Sequence, residues 1–419
     1  MSIVSAWPYA VLMAAAWLVL SVPVFRAVDE KLRPGQRTPT LDGLRGFLAL
    51  SVFAHHLIIT HGYIGTGVWT LPPSGVYILL GQVGVVIFFM ITGFLFWGKL
   101  LDSRGRPDWA ALYLGRVFRI GPMYLLAVGV MLAIVAWRTG FALREPAWTV
   151  TAAALHWLAL GLDPLQPDVN GYRGTGLILA GVTWTIFVEW LFYASLRPMA
   201  RFARGQRPLR FAGGGLLLCL LALAIASLST APGSITEPTP ALLAAMLATV
   251  IGAFFAGMVA ACLVRRPARP RIPAWAGSAI ALACLGTVFL AFDTMLGPVQ
   301  ILLVSVFFGL VCDGATLFGL LSTRPARRMS TMSYSLYLMQ GLALTLVFGV
   351  PQIRDFAMAG PARFWLAGGL CALLLLAASA VTYRLVEAPG IALGRRMRSR
   401  LAGRSRAADG LHGATAPSP

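Results

Sequence analysis

Apolar residues run along this chain in long unbroken stretches. They show neither the alternation of a half-buried strand nor the one-sided stripe of a soluble helix. Residues 211–230, 241–264 and 297–321 are almost free of charge, and each reaches the roughly 20 residues that a helix needs to cross a bilayer core. Read from end to end, the pattern predicts an all-α, polytopic transmembrane bundle of about eleven spans. They fall at 8–25, 42–62, 77–98, 117–137, 176–196, 211–230, 241–264, 275–292, 297–321, 332–350 and 364–385. One further apolar segment, 148–162, is short and bracketed by Arg144, Glu145, Asp163 and Asp168.

The basic residues decide what that segment does. Suppose that it does not cross and that the N-terminus is outside. Then 28 of the 34 Lys and Arg fall in connections on one side, namely 26–37, 99–119, 197–210, 265–271, 324–328 and the chain from Arg384 onward. Five fall on the other side, Arg138, Arg144, Arg173, Arg354 and Arg363, and Arg45 lies within a helix. Cytoplasmic connections are the ones enriched in Lys and Arg. A crossing at 148–162 would invert every later loop and erase this bias. The segment therefore reads as a re-entrant or interfacial helix on the outer side, with the C-terminus in the cytoplasm. The organisation expected is an extra N-terminal span with its loop (1–40), a membrane domain (41–390) and a basic, disordered tail (391–419). No internal repeat is visible, and 229–240 reads as a simple connector.

Composition narrows the class. The chain is 58% hydrophobic and 12% charged, whereas soluble domains hold about 45–50% and about 25%. A net charge of +19 would suggest nucleic acid in a soluble protein, but here the charge lies between apolar runs, so no nucleic-acid partner is expected. Cys219, Cys262, Cys284, Cys312 and Cys371 each lie within an apolar run and read as small hydrophobes, not a disulfide or metal framework. The flank before residues 8–25 lacks Lys and Arg, so that segment reads as a span, not a cleaved signal.

Candidate chemistry lies where polar groups interrupt the spans. In "LDGLRGFLALSVFAHHL", Arg45 and His56 are separated by about 20° beyond three full turns, so they share a face about 16 Å apart along the axis. Arg45 suits an interfacial snorkelling residue or a ligand contact. His56 suits a packing group or a general base, and ionisable groups within membranes commonly line a functional path. His55 is off that face and reads as packing or a contact behind His56. In "GVTWTIFVEWLFY", Glu189 and Tyr193 share a face that Trp184 does not, and a carboxylate in lipid needs a partner such as His56, Arg116 or Arg119. Arg116 and Arg119 are neighbours at the cytoplasmic end of a span, where they either follow the positive-inside bias or clamp an anion. Gly81, Gly84 and Gly93 permit close helix approach, Thr92 offers a hydroxyl, and Asp313 is a further acid expected to be buried, with no assigned role.

Taken together and in order, these stretches resemble membrane acyltransferase family 3, the integral membrane O-acyltransferases. The resemblance covers 41–389. Asp42-Gly43-Leu44-Arg45-Gly46 with His56 matches the arginine–ten residues–histidine pattern, and Phe88-Phe89 with Gly93-Phe94-Leu95 the second-helix signature. Arg116, Arg119, Ile120, Pro122 and Tyr124 match the paired-arginine motif, and Trp184, Glu189, Phe192 and Tyr193 the tryptophan–glutamate motif. "MSYSLYLMQ" resembles the late serine–tyrosine motif and "YRLVEAP" the closing arginine–glutamate–proline motif, although Gln340 stands where a histidine is common.

The resemblance implies transfer of an acyl group, most often acetyl, from cytoplasmic acyl-coenzyme A to a hydroxyl of a glycan or small molecule, often presented at the outer face. It implies no permanently bound cofactor and no metal. Acetyl-CoA or another acyl-CoA is a co-substrate, the acceptor and membrane lipid are the other partners, and the site is a bacterial inner membrane. His56 is then the expected base, with Glu189 orienting it. Arg45, Arg116, Arg119, Tyr124, Trp184, Tyr193, Ser333 and Tyr334 are the expected substrate-binding residues. Direct transfer and an acyl-histidine intermediate both stay open, as does a transporter or flippase that uses the same buried groups without acyl chemistry.

Overall fold

Helix boundaries follow the prolines and glycines. A computed structural model describes residues 2–29, 39–205, 207–229, 239–266 and 272–413. Among them the chain forms α1 (Trp7–Ser21), α2 (Pro39–Thr66), α3 (Gly75–Asp102), α4 (Trp109–Arg138), α5 (Ala147–Leu158), α6 (Trp184–Arg204), α7 (Pro208–Ser229) and α8 (Pro240–Val264). Then follow α9 (Ala274–Ala291), α10 (Pro298–Asp313), α11 (Arg324–Thr331), α12 (Ser333–Phe348), α13 (Pro351–Met358), α14 (Pro361–Thr382) and α15 (Ala388–Gly413). Most of these helices open on a proline in the first turn, where the N–H that proline lacks would have no helical partner.

Seven of the helices are long and apolar enough to cross a membrane: α2, α3, α4, α7, α8, α9 and the continuous rod of α14 and α15. The pair α11–α12, bent by 68°, makes an eighth if it counts as one span. The count of eleven would need three more, the short apolar helices α1 and α10 and the charge-bearing α6.

Contacts between helix ends sort the bundle into two faces. At one, Arg204 on α6 donates to the Gly105 carbonyl (3.1 and 3.0 Å), and Arg265 after α8 grips Asp102 on α3 (2.8 and 3.0 Å). At the other, Arg138 at the end of α4 donates to Tyr172 (2.6 Å), and Tyr77 on α3 donates to the Ser5 carbonyl (2.8 Å). α4 and α6 therefore run in opposite directions. The chain enters α5 from the second face, reaches into the bundle where Trp190 on α6 donates to the Leu160 carbonyl (2.9 Å) beside Gly121 of α4, and returns to Tyr172 on the second face, so α5 does not cross. Its 12 residues span about 18 Å, short of a core about 30 Å thick.

Three expected spans have different ends. Ala180 and Gly181 take left-handed φ of 53° and 66°, so α6 starts only at Trp184 and the preceding residues make a 3-10 turn. Gly314, at φ 113°, terminates α10 well before residue 321, and Asp313 is its half-buried last residue, not a deeply buried acid. α1 stops at Ser21, ahead of Pro23. The tail expected to be disordered continues as helix through Gly413. Lys31, Arg33, Arg37, Arg269, Arg271, residues 414–419 and nearly all of the 229–240 connector lie outside the described residues.

α3 and α8 pack through glycine. A Cβ on Gly93 would overlap the Phe254 carbonyl oxygen, and one on Gly257 would overlap that of Met90. α1 is held differently. Arg328 on α11, only 3% exposed, donates to both carboxylate oxygens of Asp29 (2.7 and 2.9 Å) and to the Leu20 carbonyl (2.7 Å). The Arg328 guanidinium holds the Asp29 carboxyl below its ordinary value of 3.8. This contribution is complete above that value and is lost as pH falls through the lower folded one. Asp29→Asn should therefore loosen α1 at neutral pH, read as several-fold faster amide exchange in Trp7–Ser21, and wild type should match it only on acidification below the carboxylate range.

Between α14 and α15 the rod contains one π-turn, Tyr383–Glu387. Such turns hold an extra residue and often occur at functional sites.

Candidate active site

The site is assembled on the inner faces of α2, α4, α6 and α12 and on the π-turn. On α2, Arg45 is half-buried among Asp42, Arg119, Glu387 and Glu189. Its Nε atom, like that of Arg116, is buried without a hydrogen-bond partner. One turn apart on α4, Arg116 and Arg119 point to different neighbours. Arg116 covers the Phe96 ring at 4.9 Å and lies beside the Tyr193 hydroxyl. Arg119 pairs with Glu387 at 3.6 Å.

The acids are held in place by hydroxyls. Glu189 accepts from Thr92 on α3 (3.0 Å) and from Tyr193 one turn along α6 (3.0 Å). Glu387, 1% exposed, accepts from Ser335 (2.8 Å). Three arginines and three carboxylates thus share one core. Unpartnered guanidinium N–H groups facing it suit an anion that arrives from outside the chain.

His56 lies further along α2, toward the second face. Its Nδ1 is 3.0 Å from the Val52 carbonyl. A carbonyl only accepts, so Nδ1 carries the hydrogen and Nε2 keeps the lone pair. His56 is half-buried, stacked on Trp69 with centroids 6.3 Å apart, and has Gln340 beside it. His55 is buried, its Nδ1 bonded to the Tyr77 carbonyl (2.7 Å), which makes it a packing group that ties α2 to α3.

The sequence-predicted residues divide accordingly. Arg45, Arg116, Arg119, Glu189 and Tyr193 come together. Tyr334 joins them as a strut, donating to the Ile120 carbonyl (3.1 Å), and Ser333 is buried beside it with Oγ unpartnered. Tyr124 is buried against Gly161, and Trp184 is 42% exposed with its edge on Phe89. The expected support of His56 by Glu189 is replaced. Both Glu189 oxygens are engaged by Thr92 and Tyr193, and the ring of His56 is aligned by Val52 instead. Sequence reasoning missed Glu387 and Ser335 as members of the core, although both lie in quoted motifs. The neighbourhood of Gln340 and His56 joins residues too far apart in the chain to be paired by reading it.

Comparison with known proteins identifies the family. Residues 39–384 match the family model described as "Acyltransferase domain" (Acyl_transf_3). The chain is 27% identical over 347 residues to the exopolysaccharide production protein ExoZ of Rhizobium meliloti (strain 1021), an alignment covering 79% of this chain and 97% of ExoZ. It is also 27% identical over 216 residues to the acyltransferase MdmB of Streptomyces mycarofaciens, covering 47% of this chain and 50% of MdmB. No solved structure matches. The match begins at the helix that carries Arg45 and His56 and ends at residue 384, three residues before Glu387. The chain belongs to membrane acyltransferase family 3, enzymes that join an acyl donor to a hydroxyl acceptor.

Proposed function

We propose that the protein is an O-acetyltransferase of the bacterial inner membrane. It takes an acetyl group from cytoplasmic acetyl-CoA and delivers it to a hydroxyl of an envelope glycan or lipid-linked sugar. The observation that carries this reading is His56, half-buried, with Nδ1 committed to Val52 and Nε2 left as the basic nitrogen. The helix that holds it also reaches an arginine-lined core. The anionic parts of coenzyme A would lie against Arg116, Arg119 and Arg45, and the thiol arm would run along α2 for the roughly 16 Å to His56. His56 Nε2 takes the proton of the acceptor hydroxyl as its oxygen attacks the thioester carbonyl. The tetrahedral intermediate then expels the coenzyme A thiolate, which regains that proton from the imidazolium. The acceptor in this reading is a polysaccharide or its precursor, in keeping with the name of ExoZ.

The test is transfer of label from radiolabelled acetyl-CoA to cell-envelope glycans by the purified protein in lipid. No transfer to any envelope fraction would overturn the reading. The donor assignment has its own check. Arg116→Ala removes a charge-assisted contact of about 1.5–3 kcal/mol, so KM for acetyl-CoA should rise about ten- to a hundredfold with a smaller change in kcat.

A further inference from the structure

A cavity lies on the face opposite the arginine-rich one. Its volume is about 830 Å³, within the roughly 300–1,000 Å³ of small-molecule sites. It opens between the far ends of α2, α4 and α12 and the loop that precedes α6. Five aromatic side chains line it, Tyr63, Trp69, Trp137, Tyr172 and Phe348, together with three arginines, Arg138, Arg173 and Arg354. Among the described residues none that line it is acidic.

The arginines are the unusual part. This face carries few cations. The sequence assigns it only five of 34 Lys and Arg, yet three of the five gather at one cavity. Two of them are tethered without being consumed. Arg138 donates to the Tyr172 hydroxyl (2.6 Å) and lies over that ring at 5.8 Å, which sets both groups at the wall. Arg354 pairs with its exposed neighbour Asp355, at 3.4 Å, a contact that solvent screens. The floor is rigid. Gly341 on α12 sits so close to the Leu179–Ala180 backbone that a Cβ would overlap it.

The cavity also adjoins the reacting group. Trp69 belongs to its lining and stacks on His56. Thr60 belongs to its lining and donates to the His56 carbonyl (2.8 Å). Flat aromatic faces suit the apolar faces of sugar rings, and planar guanidinium groups suit carboxylate or phosphate.

We infer that this cavity is the acceptor site and that it selects an anionic saccharide, a sugar bearing a carboxylate or phosphate. Arg173, Arg354 and Arg138 take the anionic group, and the aromatic wall seats the ring that offers its hydroxyl to His56. The inference rests on the proposed acetyl transfer for its role but not for its detection, because binding is measured without turnover.

The experiment uses the full chain in phosphatidylcholine nanodiscs, which supply no net anionic headgroup. Binding of three probes is measured by titration calorimetry: an oligogalacturonate, its neutral galactose counterpart, and an undecaprenyl-pyrophosphoryl sugar. At least one anionic probe should bind ten times or more tightly than the neutral one, and the gap should narrow with added salt. The double variant Arg173→Ala with Arg354→Ala should lose that gap while thermal stability and the Kd for acetyl-CoA, measured by the same titration, stay unchanged. Preference for the oligogalacturonate identifies a glycan carboxylate as the anion, and preference for the lipid-linked probe identifies its pyrophosphate. Equal binding of all three, or an unchanged preference in the double variant, overturns the inference. Anionic binding with no acetyl transfer sinks the proposed reaction and leaves the anionic site standing. Transfer to neutral but not to acidic acceptors does the reverse.

Discussion

Under the proposed reaction, His56→Ala is expected to abolish measurable acyl transfer while the protein still inserts and still binds the acyl-CoA donor. The expected loss is about 10²–10⁴-fold, the range that a positioned general base contributes. The size follows from the local geometry. His56 is the half-buried histidine of the polar path, its tautomer is set by the Val52 carbonyl, and His55 is turned away into the α2–α3 contact. His55 therefore offers no substitute. The decisive comparison is kcat for labelled acetyl transfer beside donor binding measured separately. Unchanged kcat would remove His56 from the chemistry. A fall in donor binding equal to the fall in kcat would make it a binding group instead. Deletion of the imidazole at this depth leaves a small cavity, and a melting curve in detergent should move little.

Gly257→Val moves it a great deal. α3 and α8 approach so closely that the Gly257 and Gly93 positions each face a backbone carbonyl of the partner helix, Met90 and Phe254. Backbone cannot rotate aside as a side chain does. Overpacking of a core costs typically about 1–3 kcal/mol, and here the only relief is to separate two helices, so the loss should reach or exceed the top of that range. Separation would also displace Thr92, next to Gly93, from Glu189. Thermal denaturation in detergent, with transfer activity measured on the folded fraction, checks both effects. A midpoint within a degree of wild type would show that the helices can part without penalty.

Much of this was legible in the chain before any coordinates. Long apolar runs become α2, α3, α4 and α8, since nothing but a helix satisfies its own backbone in lipid. Arg45 and His56 share a face because the helical period dictates it. The bias of Lys and Arg argues against a crossing at 148–162, and the segment dips in as far as Leu160, beside Gly121 and Trp190, without crossing. What could not be read was pairing across the bundle. Glu189 looked to a cation for its partner, yet it is satisfied by Thr92 and Tyr193, because hydroxyls supplied by tertiary packing carry no charge signature in a sequence. Gln340 reads as a departure from a motif, and only the fold reveals that it stands beside His56. The starts and stops that failed, at Trp184 and Asp313, lie where left-handed residues break the chain inside apolar stretches, and hydropathy does not register backbone handedness.

The π-turn at Tyr383–Glu387 bears on descent. A π-turn is one residue inserted into a helix that continues on both sides. Removal of that residue would leave an uninterrupted rod from Pro361 onward, with its apolar character intact. One extra residue in a regular α-helix would turn everything beyond it by about 100°. The wider π-turn takes that residue up locally, so Gly390 and Gly394 keep the Phe118 surface that they fit while Glu387, inside the turn, faces Arg119 and Ser335. The carboxylate and the seating of α15 on α4 can thus change one without the other.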